Sequence, residues 1–338
     1  MAGGVLPLAV TMGDPAGVGP AITWHAYEAF RSRSRPFYVI ADPRVLDANR
    51  THASLHHKLV MIASPNEAPA AFQQGLPVAP ITSPVPKPGE ADPATATAVL
   101  DSIRLAVMHV QAGAAAAVVT NPIAKALLYR AGFKHPGHTE FLAELAANGG
   151  TPPRPVMMLS GGGLRVALAT IHKPLSAIPG LLTTDLIADV GRIVHGSLKR
   201  DFGIAEPRIG LCGVNPHAGE DGEIGREEID TINPAAARMR AAGIDCSDAR
   251  PGDTIFHEAR SGRFDVVIAM YHDQGLIPVK TLDIWGGVNV TLGLPFIRTS
   301  PDHGVAYDAA ASGKARPDSL IAALDLADAM AHARAAAP

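Results

Sequence analysis

Residues 266–280 read VVIAMYHDQGLIPVK, and this stretch decides the class of fold that the sequence predicts. Residues 266–270 form a short apolar run rich in β-branched residues after the polar segment 260–263, which is typical of a buried parallel strand. Tyr271-His272-Asp273-Gln274-Gly275 follows, and open α/β sheets bind ligands beyond the carboxyl ends of their strands. The stretch therefore predicts a functional loop, although polar residues that only cap the next helix would give the same pattern.

Two further stretches repeat this order of a strand-like run and then a histidine. Residues 165–170 lead to His172, and residues 208–213 lead to His217. Neutral imidazole is a good ligand for borderline divalent cations, and three histidines with one open position form a catalytic zinc arrangement. The pattern predicts a metal site of His172, His217 and His272, against the alternative that three of the 14 histidines lie in loops by chance.

Length and composition exclude several classes of protein. The 338 residues predict about two domains. No apolar run approaches the ~20 residues of a membrane-spanning helix, and no signal peptide is expected. The net charge of -3, with both signs spread along the chain, argues against a nucleic-acid or membrane surface. Cys212 and Cys246 are far apart in sequence, which fits a reducing, cytoplasmic setting.

Strand-like and helix-like segments alternate along the chain, which predicts an α/β fold with mostly parallel strands. The first strand, residues 6–11, runs into a turn that contains Gly13, Asp14 and Gly17. The spacing of these glycines differs from the dinucleotide-binding fingerprint. Residues 63–93, rich in proline and glycine, predict a long surface connection with at most a short strand.

Several polar residues predict an anion site. His138 or Thr139 stands where a helix N-cap belongs, and helix N-termini bind anions through free amides and the dipole; a plain cap is the alternative. Lys280, Asn289 and Arg298 supply two cations and an amide, which suits an oxyanion.

Six motifs together resemble the family of 4-hydroxythreonine-4-phosphate dehydrogenases. They follow the family's order over nearly the whole chain: residues 13–20 (GDPAGVGP), 137–141 (GHTEF), 215–220 (NPHAGE), 271–275 (YHDQG), 287–295 (GVNVTLGLP) and 298–304 (RTSPDHG). The resemblance implies two α/β/α domains with a cleft between them, as in isocitrate and isopropylmalate dehydrogenases. One domain would be discontinuous, with residues 1–130 and 281–338 on the cofactor side. Residues 131–280 would form the central domain for metal, substrate and dimerisation.

The resemblance also implies roles for particular residues. A divalent metal (zinc, or else magnesium or cobalt) would bind His172, His217 and His272, and the cofactor would be NAD or NADP. Asp273, Asp253 and Lys125 are candidates for proton handling or for pairing with the substrate amine. The substrate and cofactor would be held by two further sets: His138, Thr139, Lys280, Asn289 and Arg298 for the phosphorylated substrate, and Gly13, Asp14, Gly17, His303, Gly304 and Asp308 for the cofactor.

The chain departs from the family's pattern at three places near the cofactor loops. Ala21 replaces an expected glutamate, Ala311 an expected glycine and Arg316 an expected aspartate. These departures leave the predicted metal and phosphate ligands in place.

The implied reaction is the oxidation of 4-phosphohydroxy-L-threonine to a 3-oxo acid, which loses carbon dioxide, in pyridoxal 5'-phosphate biosynthesis. The implied assembly is a homodimer with active sites at the interface, in which His172 and His217 share one wall and the partner supplies His272. Alternatives are a related dehydrogenase of phosphorylated D-threonate or D-erythronate or of a cyclic dihydrodiol carboxylate, a phosphate acyltransferase, and a non-catalytic binding protein.

Overall fold

The computed structural model describes residues 5–33, 35–52, 56–130, 132–135 and 137–336. The strands, in chain order, are β1 (Leu8–Thr11), β2 (Phe37–Ala41), β3 (Leu59–Met61), β4 (Leu76–Pro80), β5 (Ala117–Val119), β6 (Val156–Gly161), β7 (Leu164–Leu168), β8 (Ile209–Cys212), β9 (Cys246–Arg250), β10 (Val266–Ala269), β11 (Val288–Leu292) and β12 (Ile297–Pro301). The helices are α1 (Gly19–Phe30), α2 (Pro43–His52), α3 (Ala68–Phe72), α4 (Ala96–Gln111), α5 (Lys125–Arg130), α6 (His138–Ala147), α7 (Ile178–Leu181), α8 (Thr184–Phe202), α9 (Asn233–Ala241), α10 (Ile255–Arg260), α11 (His272–Leu282), α12 (Tyr307–Ser312) and α13 (Asp318–Ala336).

The first of two compact units comprises residues 1–153 and 294–331. Its strands lie in the order β3-β4-β2-β1-β5-β12, and each neighbouring pair is parallel. Every residue of β1, β2, β5 and β12 is buried, as expected of parallel strands that are covered on both faces. The loops after β1 and β5 therefore leave the same edge of this sheet.

The second unit comprises residues 154–293 and 332–338. Its strands lie in the order β11-β6-β7-β10-β8-β9. The β6–β7 hairpin and the β11–β6 pair are antiparallel, whereas β7, β10, β8 and β9 run parallel. The α/β class with mostly parallel strands is thus confirmed.

Helix α11 is held against the second sheet by an apolar face. Leu276 and Val279 join a core cluster with Leu159, Val166 and Val267. Gly275 permits this close packing, because a Cβ there would lie 2.6 Å from Leu168 Cδ2. The buried strand β10 and the apolar face of α11 therefore hold the polar residues at their junction, beginning at Tyr271, at the end of the strand.

The segment predicted as a surface connection, residues 63–93, contains more structure than expected. It holds α3 and β4, and β4 lies between β3 and β2 in the sheet. Pro77 and Pro80 lie within this strand, and proline is normally depleted from interior strands. This is why the strand pattern was not apparent in the sequence.

The boundaries of the two units differ from those drawn on the sequence. They fall at 153/154 and 293/294, rather than at 130/131 and 280/281. His138 and Thr139 therefore lie in the first unit, and Asn289 lies in the second. Within the described part of the chain, no helix has the length and apolar character needed to cross a membrane.

Candidate functional site

The three predicted histidine loops follow neighbouring strands of the second unit. His172 comes after β7, His272 after β10 and His217 after β8, and β10 pairs in parallel with both of the other strands. Because the strands are parallel, the three loops leave the same edge of the sheet. The sheet order therefore places the three histidine loops side by side at this edge.

Side-chain hydrogen bonds tie these three strand ends together. Thr170 Oγ1 donates to the carbonyl of Met270 at 2.6 Å. Gln274 Oε1 accepts from the amide of Met270 at 2.8 Å, and its Nε2 donates to the carbonyl of Gly213 at 2.7 Å. Gln274 thus joins the loop after β10 to the loop after β8.

Two of the histidines carry a carboxylate on Nδ1. His217 Nδ1 lies 2.5 Å from Glu220 Oε1, and His272 Nδ1 lies 2.7 Å from Asp273 Oδ1. A carboxylate at Nδ1 favours a proton on that nitrogen and leaves Nε2 as an acceptor, which is the usual arrangement of metal-binding histidines. The chemistry of these side chains therefore fits the predicted ligands.

The arrangement within one chain brings two of the three histidines together. The rings of His172 and His272 have centroids 5.3 Å apart, whereas His217 pairs with Glu220. Among the described residues, no three His, Cys, Asp or Glu side chains lie close enough to hold one metal ion. The single chain in this conformation therefore does not bring His217 together with His172 and His272.

A cavity of about 560 Å³ opens beside His217. Its polar lining includes Asn215, Asp253, Tyr271 and Gln274, and its apolar lining includes Leu175, Ile178 and Pro179. Asp253 therefore faces the same space as His217, while Asp273 is engaged with His272. The cavity lies wholly within the second unit.

A second group of polar residues lies in the first unit and is strongly cationic. Arg298, on β12, is only 3% exposed, and its Nη2 donates to Thr120 Oγ1 at 2.7 Å. Lys125, at the start of α5, lies against Gly137, since a Cβ there would be 3.1 Å from its Nζ. His138 is the first residue of α6, and its Nε2 is buried without a hydrogen-bond partner.

Burial and charge act together in this cationic group. Burial lowers the pKa of His138 well below its usual value, and the charges of Arg298 and Lys125 lower it further. Burial also lowers the pKa of Arg298 to about 10, so the guanidinium stays protonated at neutral pH. A neutral imidazole beside two cations at a helix N-terminus is an environment that favours an anion.

The predicted helix caps near this group were wrong. Gly137 is the N-cap of α6, without a side-chain hydrogen bond, and His138 is already helical. Asn121, which precedes the helix that carries Lys125, donates to the carbonyl of Thr11 and to Thr23 Oγ1 and does not cap that helix. The helix begins four residues later, at Lys125.

The two loops predicted to bind the cofactor are joined in the first unit. Asp14, which is buried, accepts from the amide of Ala16 at 2.9 Å and from the hydroxyl of Tyr307 at 2.6 Å. The amide of Val18 donates to the carbonyl of Val305 at 2.9 Å. Gly13 and Gly17 are thus brought close to the segment that contains His303, Gly304 and Asp308.

The family follows from comparison with known sequences. The profile described as "Pyridoxal phosphate biosynthetic protein PdxA" matches residues 32–327. The chain belongs to this family.

Relatives and solved structures agree with this family. The 4-hydroxythreonine-4-phosphate dehydrogenase of Bradyrhizobium diazoefficiens is 52% identical over 97% of this chain and 98% of its own. The crystal structure of 4-hydroxythreonine-4-phosphate dehydrogenase from Klebsiella pneumoniae has a TM-score of 0.87 at 37% identity and covers 96% of this chain and 99% of that one. A terephthalate 1,2-cis-dihydrodiol dehydrogenase from Burkholderia xenovorans has a TM-score of 0.66 at 28% identity, with 96% and 98% covered.

The remaining predicted substrate residues are divided between the units. Thr139 follows His138 in α6, whereas Lys280 lies in α11 and Asn289 in β11. The Oδ1 of Asn289 is buried without a hydrogen-bond partner, so it is available as an acceptor. Their roles stay predictions.

Sequence reasoning assigned no role to four residues that shape these sites. Thr120 holds Arg298, Gln274 joins two loops, Tyr307 joins Asp14 to the late loop, and Glu228 holds the loop that carries His217. Each acts through a partner distant in sequence. Gln274 alone lay in a segment that the sequence had marked as functional.

Proposed function

We propose that this chain oxidises the secondary hydroxyl of 4-hydroxythreonine 4-phosphate with NAD or NADP, as part of pyridoxal 5'-phosphate biosynthesis. The observation that carries the proposal, beside family membership, is the cationic group in the first unit. Arg298 and Lys125 supply two positive charges around the buried Nε2 of His138. A phosphate monoester is the part of this substrate that such a group recognises.

The reaction balances as follows. The carbon that bears the hydroxyl gives a hydride to the nicotinamide ring, the hydroxyl gives its proton to a base, and a ketone forms. The product is a β-keto acid, whose carboxylate leaves as carbon dioxide; the enolate that remains takes up a proton on carbon and becomes 3-amino-2-oxopropyl phosphate. The chain's task is to fix the phosphate, so that the hydroxyl carbon meets the nicotinamide in one orientation.

Asp253 is the carboxylate that we assign to proton transfer. Asp273 is occupied at the Nδ1 of His272, and Lys125 lies beside His138 in the cationic group, whereas Asp253 lines the cavity next to His217. Asp253→Asn should lower kcat while leaving the KM for the nicotinamide cofactor unchanged. A loss of kcat no larger in Asp253→Asn than in an Asp230→Asn control, whose carboxylate pairs with exposed Arg226, would contradict the assignment.

His172, His217 and His272 would hold a divalent ion such as zinc, magnesium or cobalt. The carboxylates at His217 Nδ1 and His272 Nδ1 support this assignment. A bound divalent ion lowers the pKa of a coordinated hydroxyl and stabilises negative charge that develops on oxygen. His172 and His272 are neighbours within one chain, so in this proposal the third histidine, His217, comes from a second chain.

A homodimer with shared active sites would supply that second chain. The helix that begins at His272 presents Ile277 to solvent at 63% exposure, and the segment after it exposes Ile284 and Trp285. Large exposed apolar side chains that lie close in sequence mark interaction surfaces. Their position beside His272 favours an interface that includes the histidine site.

The loops joined by Asp14 and Tyr307 would receive the cofactor. Gly13 and Gly17 let this turn pack closely against Asn121 and Val305, and His303, Gly304 and Asp308 lie in the segment that docks on the turn. A cytoplasmic location fits the two thiols, because Cys212 and Cys246 are both buried and free.

Formation of NADH or NADPH, followed by absorbance with 4-phosphohydroxy-L-threonine and added zinc, magnesium or cobalt, tests the proposal. Phosphorylated D-threonate and D-erythronate are the comparison substrates. We expect the L-threonine derivative to give the highest kcat/KM. Turnover of either comparison substrate alone would move the assignment to another phosphorylated hydroxy acid.

A further inference from the structure

The loop that carries His217 has an unusual backbone. His217, Ala218, Gly219, Glu220 and Asp221 have φ of 51°, 56°, 86°, 43° and 52°, so five consecutive residues are left-handed. Four of the five carry a Cβ, and steric contact between Cβ and the backbone disfavours this conformation for L-residues. Such a segment persists only when the surrounding structure fixes it.

Glu228 supplies contacts that fix this segment. Its side chain is buried, at 2% exposure. Oε1 accepts from the amides of Val214 at 2.7 Å and Asn215 at 2.8 Å, and Asn215 Nδ2 donates to Oε2 at 3.0 Å. The carboxylate also lies beneath Gly219, where a Cβ would be 2.8 Å from Oε2.

The position of Glu228 in its own element is equally specific. It is the first residue of a π-helical turn, Glu228–Ile232, and π-helical turns are frequent at functional sites. The turn directs one carboxylate towards the residues that precede the left-handed segment and towards Gly219 in its middle. Backbone amides that donate to a buried carboxylate form charge-assisted bonds, which are stronger than neutral ones.

We propose that Glu228 is the positioning residue of His217. It holds residues 214–219 in the conformation that turns the imidazole of His217 towards the cavity, and it does not contact the substrate. The inference rests on the role of His217 in the proposed function. It adds a residue that acts through the backbone, whereas Glu220 acts on the imidazole itself.

Three variants separate positioning from a general need for the carboxylate in folding. Glu228→Ala removes every contact, whereas Glu228→Gln keeps an acceptor for the two amides but faces Asn215 Nδ2 with a second donor. Asp230→Asn is the matched control, because Asp230 lies in the same turn and pairs with exposed Arg226.

Amide hydrogen exchange measured by mass spectrometry gives a readout that is independent of activity. In Glu228→Ala we expect faster exchange in peptides covering residues 213–222, with unchanged exchange in peptides from β1, β2 and β5. Glu228→Gln should be intermediate, and Asp230→Asn should match the wild type. Exchange that stays at wild-type rates in residues 213–222 of Glu228→Ala would overturn the proposal, as would faster exchange throughout Glu228→Gln.

Kinetics complete the test. Loss of an outer partner of a ligating histidine typically costs about 10–100-fold in activity, so kcat should fall by that factor in Glu228→Ala and less in Glu228→Gln. The KM for the nicotinamide cofactor should stay constant. A wild-type kcat in Glu228→Ala overturns the inference, whereas inactivity of the wild type with every phosphorylated substrate overturns the proposed function and leaves the exchange result to decide on Glu228.

Discussion

Replacing Arg298 with alanine should weaken phosphate recognition and little else. The guanidinium is 3% exposed and held by Thr120 Oγ1 at 2.7 Å, and its pKa of about 10 leaves it charged at neutral pH. A charge-assisted hydrogen bond contributes about 1.5–3 kcal/mol. The apparent affinity for the phosphorylated substrate should therefore fall by roughly 10- to 150-fold.

Two controls bracket this value. Thr120→Val removes the hydroxyl that orients Arg298 but keeps the charge that would contact the phosphate. Its effect on substrate affinity should therefore be smaller than that of Arg298→Ala. Arg316→Ala removes an exposed guanidinium that pairs with Asp318, and it should leave the affinity for substrate unchanged.

The assay is steady-state NADH or NADPH formation with 4-phosphohydroxy-L-threonine, compared with 4-hydroxy-L-threonine, which lacks the phosphate. Arg298→Ala should raise KM for the phosphorylated substrate and have little effect on the other. Equal losses with both substrates would refute the reasoning, because Arg298 would then act on the fold or on the cofactor.

Three further predictions concern histidines. His217→Gly should abolish turnover but raise the free energy of unfolding by up to about 1 kcal/mol, because glycine relieves the strain of a φ of 51°. Denaturant unfolding of His217→Gly and His217→Ala measures this difference. A glycine variant that is no more stable than the alanine variant would contradict the prediction. Mixing inactive His217→Ala and His272→Ala dimers under conditions of subunit exchange should restore activity if each site takes ligands from both chains; no recovery after verified exchange would rule that out. Burial lowers the pKa of His138 in the folded protein, so below the unfolded value of about 6.5 the unfolded state binds more protons and stability decreases as the pH decreases. His138→Gln should lose less stability over that range in denaturant titrations, and an identical pH dependence would contradict the assignment.

Much of the scaffold could be predicted because local sequence and tertiary structure agree. Apolar β-branched runs such as residues 266–269 became buried strands. β12 was not recognised, because it is fully buried yet reads Ile-Arg-Thr-Ser-Pro. Of its polar residues, Arg298 belongs to the cationic group and Thr299 donates to the carbonyl of Ala323, so the contacts that allow their burial come from distant parts of the chain.

The three histidines could be proposed as ligands from the sequence, but their geometry could not be predicted from it. A histidine after each of three strand-like runs is visible in the sequence, whereas the order β7-β10-β8, which makes those runs neighbours, is not. Nor does the sequence show that His272 pairs with His172 in one chain. Such pairings depend on contacts between residues about 100 positions apart.

The backbone at the histidines explains why these positions cannot be identified from local propensity. His172 and His217 both have positive φ, at 48° and 51°, where glycine would be the favoured residue. A histidine at either position is less stable than a glycine would be, so stability alone does not explain its presence. The buried carboxylate of Glu228 offsets part of this cost at His217. The strained backbone at His217 and the buried carboxylate of Glu228 that restrains it thus belong together, and only the structure shows that they are in contact.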